Sequence, residues 1–387
     1  MIAHDKNLLD NLSLTEEANS LQSGGFISKE QNTLIKKSLA GFKRNNNILV
    51  RLGFFLLGSF LYVSVCGAFS LLGIDSGQTF WNICFYIFAI VGFVGSNILA
   101  KQNYYGHGLD DAFNLGALLN LGIAIGITTD GYEIVIAFFI AIASFLMYLR
   151  YIHLPSMLVF CLSAAAVLFF GMFELGAIGK TILPFVAMLF SAGFYFFTKK
   201  ILNNFTENYY YKGVLLANSF CLILFYLSCN YMVVRELSVM LLGNEILPGE
   251  DIPFAIFFYA FTIIVPILYL VQALKTKDRI MLWLSFLAIA FSIYTIRFYH
   301  SVLPVEVALT LGGLVLFAIT YFSIKKLKDN ENGLTFKPDR INNSNAFLNA
   351  ETLIVASQFG LKPETPTESP MEFGGGDFSG GGSSGSF

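Results

Sequence analysis

Ionisable residues are scarce inside the long apolar runs of this 387-residue chain. Each one that occurs is a candidate for chemistry, because a charge in hydrocarbon is costly unless it is paired or wet. Arg297 ends one apolar run and Glu306 begins the next, with a short turn between them. Glu174, at the same end of an earlier run, is a third member. Such a set could read the charge of a solute or gate a path at its mouth. The simpler reading is an interfacial ion pair whose heads reach the headgroup region. Asp110 and Asp111 are adjacent and open another run. Two aspartates on separate helices at depth could activate water for peptide hydrolysis. A neighbouring pair at the start of a run is better placed to cap a helix N-terminus, where the helix dipole favours negative charge.

Other chemistries fail on residue type or spacing. Glu174-Leu-Gly-Ala-Ile-Gly-Lys-Thr181 resembles a phosphate-binding loop, but that loop needs glycine where Glu174 stands, and a carboxylate there repels phosphate. The cysteines, Cys66, Cys84, Cys161, Cys221 and Cys229, form no Cys-x-x-Cys pair and have no histidine at ligand spacing, which argues against zinc. His4, His107, His153 and His300 are scattered over different loops, and no serine sits in a Gly-x-Ser-x-Gly turn within a run. The sequence therefore assigns no catalytic residue, no metal and no cofactor. Polar residues inside the runs read better as packing. Gly116, Asn120, Ala124 and Thr128 recur every four residues, and Gly122-Ile-Ala-Ile-Gly126 is a small-xxx-small motif. Asn120, Thr128 and Asn218 are the candidates for the bundle interior, with Asn82, Asn97 and Asn230 as further glue between helices.

The elements that must position these residues are ten apolar runs, near 52–73, 80–100, 111–128, 132–149, 154–175, 181–198, 213–232, 253–274, 280–298 and 303–323. Each is close to the roughly 20 residues that cross a bilayer as a helix. Lipid offers no partner for backbone polar groups, so the runs must be helical. The class is an all-α, polytopic membrane bundle of about ten transmembrane helices. Composition agrees: 55% of residues are hydrophobic and 13% charged, against roughly a quarter charged in soluble domains. A net charge of −2 argues against nucleic acid as a partner. The first run follows a long polar stretch, so it reads as a retained span and not a cleaved leader. Lysine and arginine fall in alternate gaps, sixteen against only Lys180, Arg235 and Arg297 in the others. By the positive-inside bias both termini face the cytoplasm. Trp81, Tyr104, Tyr105, Tyr148, Tyr151, Tyr209, Tyr210, Tyr211 and Trp283 are expected as interfacial anchors.

Outside the spans, residues 1–47 predict a cytoplasmic helical hairpin. Ser13 with Glu16, and Ser28 with Gln31, have capping-box spacing, and Gly24 and Gly25 lie between them. Leu14, Ala18, Leu21, Phe26, Leu34 and Ile35 supply a contact face. A unit this small cannot fold on its own core, so it docks on the span ends or on a partner. Val233–Ile252 is the longest outer loop, and Val234, Leu237, Met240 and Leu241 predict a short interfacial helix in it. Beyond the spans (48–326), residues 327–362 carry one short amphipathic helix, and 363–387 are a Pro-rich and then Gly/Ser-rich tail expected to be disordered. Phe373, Phe378 and Phe387 stand out in that tail as candidate partner contacts.

The segment Leu21-Gln-Ser-Gly-Gly-Phe-Ile-Ser-Lys-Glu-Gln31 ahead of many spans resembles the N-terminal signature of uncharacterised bacterial "predicted membrane protein" families, of the domain-of-unknown-function type. The resemblance implies a bacterial inner-membrane setting and carries no catalytic residue. Two functional readings follow. One is a membrane-embedded scaffold or sensor with cytoplasmic partner-binding ends. The other is a transporter of neutral or apolar solutes built from five plus five inverted spans. Buried charge is too scarce for ion coupling, and no sequence repeat links the two halves.

Overall fold

The computed structural model describes residues 2–299, apart from Gly24, 72–76, 204–207, 244–250 and Lys277, and a few scattered positions beyond 300. Two helices precede the apolar region, α1 (Lys6–Ser23) and α2 (Lys29–Ser38). Nine helices among the described residues are long and apolar enough to cross a membrane. They are α3 (Ile48–Ser70), α4 (Gln78–Lys101), α5 (Leu109–Thr128), α6 (Glu133–Tyr151), α7 (Leu154–Glu174), α8 (Gly176–Asn203), α9 (Tyr211–Ser228), α11 (Ala255–Thr276) and α12 (Arg279–Tyr299). The shorter α10 (Tyr231–Leu242) falls in the long loop where an interfacial helix was expected. The run near 303–323, Glu306 within it, and the tail with Phe373, Phe378 and Phe387 lie largely or wholly outside the described residues.

The spans associate mainly as sequential antiparallel pairs, α4 with α5, α6 with α7, α8 with α9 and α11 with α12. Each pair turns at the same end of the bundle, the end that carries most of the lysines and arginines. Sequence explains the close approach of α4 and α5. A Cβ on Gly92 would lie 2.9 Å from the Ala117 Cα, and one on Gly95 would lie 2.3 Å from the Phe113 ring. Helix α3 buries only a narrow stripe, Gly58, Tyr62 and Cys66, spaced every four residues. In the second half, Leu222, Tyr226, Val265, Tyr269, Met281 and Ala288 form one apolar core among α9, α11 and α12. Pro266 lies inside α11 and cannot donate to the carbonyl of Thr262 one turn back. The Ser292 hydroxyl of α12 donates to that carbonyl at 2.7 Å instead, so the freed acceptor becomes a helix–helix bond.

Some expectations are corrected here. Ser13 is no N-cap: α1 begins at Lys6, and the Ser13 hydroxyl donates to the Asp10 carbonyl from within the helix. Ser28 does cap α2, with the reciprocal Gln31 bonds of a capping box. Gly25 has a φ of +74°, and Phe26 N–H donates to the Leu21 carbonyl, the six-to-one bond of a Schellman ending. The hairpin contact is mixed: Ala18 of the expected face is buried, as are Leu8 and Leu9 on α1. The buried Asn32 amide donates to the side-chain oxygens of Asn19 and Gln22, while Leu14, Phe26 and Leu34 point outward. Tyr148 and Tyr151 are internal and not lipid-facing anchors, each 2% exposed. The Tyr148 ring fills space that Gly213 of α9 leaves, and its hydroxyl donates to the Tyr210 carbonyl.

A candidate site beneath the N-terminal hairpin

The richest polar constellation sits at the basic end, where α3, α5 and α7 begin under the hairpin. Asp111 occupies the first turn of α5 and is 5% exposed. Its carboxylate accepts two bonds from the Arg51 guanidinium of α3, at 2.6 and 2.8 Å, and faces His153 Nε2 at 2.9 Å. His153 is the N-cap of α7, and its Nδ1 accepts from Ser156 N–H at 3.3 Å. An Nδ1 that accepts leaves the ring proton on Nε2, which donates to Asp111. The Ser156 hydroxyl lies 2.8 Å from the same Nδ1. A bidentate guanidinium and an imidazole donor together offset the cost of burying this carboxylate.

Asp110 turns the other way. It accepts from the backbone N–H groups of Gly106, His107 and Gly108 at 2.6, 2.9 and 2.9 Å. Gly108 has a φ of +108°, and a Cβ there would lie 2.2 Å from the Arg51 carbonyl, so only glycine fits between loop and helix. The two aspartates thus do more than meet a helix dipole. Asp110 folds the loop before α5, and Asp111 joins three helices.

Serine, histidine and aspartate in one hydrogen-bonded chain share the order of a hydrolytic triad. Nucleophilic attack also needs an accessible hydroxyl beside an oxyanion donor. Ser156 is fully buried, and it is not among the residues that line the cavity at this end. Its bond to His153 is a helix cap. The arrangement holds charge and geometry.

That cavity, of about 70 Å³, is lined by His4, Arg51, Ser96, Asp110, Asp111 and Asn114 together with Tyr105, Tyr151 and His153. Among the described residues, Asn114 Oδ1 and His4 Nδ1 are buried with no hydrogen-bond partner, which makes this a polar hollow suited to solvent. His4 Nε2 lies 3.2 Å from the Tyr151 carbonyl, and its ring packs edge-on against Phe42 and Tyr105. Burial pushes the His4 imidazole below its ordinary value, although the Tyr151 carbonyl and the Asp110 charge pull the other way. Burial also lifts the Tyr105 phenol to about 12.

The hairpin closes over this cluster through polar ties to several loops. Ala3 N–H donates to the Arg150 carbonyl, and Lys43 N–H to the Asn103 carbonyl. Asn45 donates to the His107 carbonyl. Glu16 pairs with Arg44 at 3.3 Å and with Lys212 at 2.6 Å, and the Tyr209 hydroxyl donates to Asp10.

The residues singled out from sequence are dispersed. Asn120 is buried and donates to the Tyr62 hydroxyl at 3.0 Å, and buried Asn218 accepts from Thr198 at 3.0 Å. Thr128, read as interior from its spacing, is exposed at the last residue of α5, where it meets Asn82 and Tyr86. Arg297 is half-buried at the end of α12, and Glu174 is exposed. Among the described residues no ion pair joins them. The cluster beneath the hairpin was missed because its histidines look scattered in sequence. The usable signal was that Arg51, Asp111 and His153 all fall at run ends on the same predicted side.

Comparison of the chain with family models, with curated proteins and with solved structures finds no match in any of the three.

Proposed function

We propose that this multi-pass membrane protein is a scaffold or sensor whose N-terminal hairpin is its partner-facing element, set in a bacterial inner membrane with both termini cytoplasmic. One observation carries the reading. Leu14, Phe26 and Leu34 are 54, 67 and 67% exposed on it, while Leu8, Leu9 and Ala18 are buried. Exposed apolar side chains on a small unit suit a protein contact. The concentration of lysine and arginine at the hairpin end supports the orientation. The five-plus-five transporter reading calls for a polar cavity at mid-depth, whereas two hollows among the described helices are lined almost wholly by apolar residues.

A photo-crosslinking residue at position 26, in native membranes, tests the proposal. The expected result is a discrete protein adduct that disappears when Leu14 and Leu34 are both replaced by Asp in a chain that still inserts. Adducts with lipid or with the chain itself alone overturn it. Reporter fusions after Lys101 and Asp130 test the orientation, with activity of the outside reporter expected only at Asp130.

A further inference from the structure

The larger of those hollows, about 510 Å³, opens sideways between α4 and α6 with α5 as its floor. Three alanines make it: Ala89 on α4, Ala117 on α5 and Ala143 on α6 leave room that Phe93, Leu118 and Met147 border. Water gains nothing there, because the lining offers almost no polar partner. The exception is Arg150, which closes the hollow at the basic end. Its guanidinium donates to Asn97 Oδ1 at 2.9 Å and lies over the rings of Phe93 and Tyr151 at 5.4 and 5.7 Å. Its Nε is buried and, among the described residues, has no acceptor. Phe93, Asn97 and Lys101 follow one another at four-residue spacing along α4, each about 40° round from the last, so Lys101 lies one turn beyond Asn97 on its side of the helix. Lys101 therefore carries a second cation one turn beyond Arg150's partner, and its side chain is exposed. No carboxylate lines the hollow.

We propose that this groove holds one anionic phospholipid, its acyl chain along the alanine-lined floor and its phosphate against Arg150 and Lys101. An apolar trough with cations at only one end matches a lipid's own polarity. A cationic site at the basic end of a span is where anionic headgroups bind. Asn97 and two aromatic rings hold the guanidinium in place, and its remaining terminal N–H groups are the donors for a phosphate oxygen.

The test places a tryptophan in the groove wall (Leu146→Trp) with Trp81 and Trp283 changed to Phe, in phosphatidylcholine vesicles. Brominated phosphatidylglycerol at low mole fraction should quench it far more than brominated phosphatidylcholine does. Replacing Lys101 or Arg150 by Gln should raise the phosphatidylglycerol needed for half-quenching about fivefold for each cation removed. Ala143→Phe, which fills the trough, should abolish the selective quenching while leaving both cations in place. Should Arg150→Gln fail to insert, Lys101→Gln, on an exposed side chain, carries the test alone. Equal quenching by the two lipids, or selectivity unchanged in Lys101→Gln, overturns the proposal. So does a native mass spectrum showing a dimer that Ala143→Phe dissolves, since a second copy would then occupy the groove.

Discussion

At the basic end, a carboxylate, a guanidinium and an imidazole form one hydrogen-bonded chain across α3, α5 and α7. At the opposite end, α9, α11 and α12 are joined by neutral groups. The Tyr226 hydroxyl donates to the Ala288 carbonyl at 3.0 Å and also meets Ser292, while Asn230 donates to Tyr226 and Thr262 accepts from Tyr231 N–H. Both devices satisfy buried polar groups between helices, but they differ in what failure costs. A neutral partner lost in a membrane interior is partly replaced by other bonds. A buried charge stripped of its partner is left uncompensated. The charged device lies where a soluble hairpin covers it, and the neutral device lies deeper among apolar helices. The charges at the opposite end, Arg235, Glu236 and Asp251, meet the Tyr231 and Tyr299 hydroxyls outside this neutral core.

The widest separation should come from Asp111→Ala, which leaves Arg51 and His153 facing each other without a carboxylate. We expect a loss of about 3–5 kcal/mol, read by reversible unfolding in mixed micelles. Tyr226→Phe, the matching cut at the other end, should cost about 0.6–1.7 kcal/mol in the same measurement. Equal losses would erase the distinction between the two ends. A smaller effect is expected from Glu16→Gln, which removes two exposed pairs worth about 0.2–1 kcal/mol each. It should raise hydrogen exchange in α1, with the difference from wild type shrinking in high salt.

The most local test is pH. Burial holds the His4 imidazole below the ordinary histidine value of about 6.5. Its contribution to docking is therefore full above that value and falls as pH drops toward the folded pKa. Exchange protection in α1 should weaken between about pH 7 and about pH 5, and that of α10 should not change from this cause. His4→Gln should flatten the α1 profile; an unchanged profile would remove His4 from the docking interface.

Much of this was legible in the residues. The apolar runs place nine helices to within a few residues, because twenty apolar positions in lipid leave the backbone no alternative. The Ser28 and Gln31 spacing marks the start of α2. The site was not legible, because Asp111 and His153 stand 42 residues apart and Arg51 a further 60 from Asp111. Only the packing of α3, α5 and α7 brings those run ends together. Apolar spacing marks the hairpin contact only in part: Ala18 is buried, while Leu14, Phe26 and Leu34 are exposed. Three amide side chains, Asn19, Gln22 and Asn32, complete it, and they carry no periodic signal.

The shared carboxylate of Glu16 has a consequence for synthesis. Its partner Lys212 lies 196 residues downstream, and Asp10 waits 199 residues for Tyr209. Pairing across such separations is slow, because the ends must first be brought together. The hairpin leaves the ribosome before the spans, and its ties form in stages: Lys43 with Asn103, then Ala3 with Arg150, and only after α8 those of Asp10 and Glu16 with Tyr209 and Lys212. The last of these ties, to Tyr209 and Lys212, therefore reports that α3 to α8 have been made.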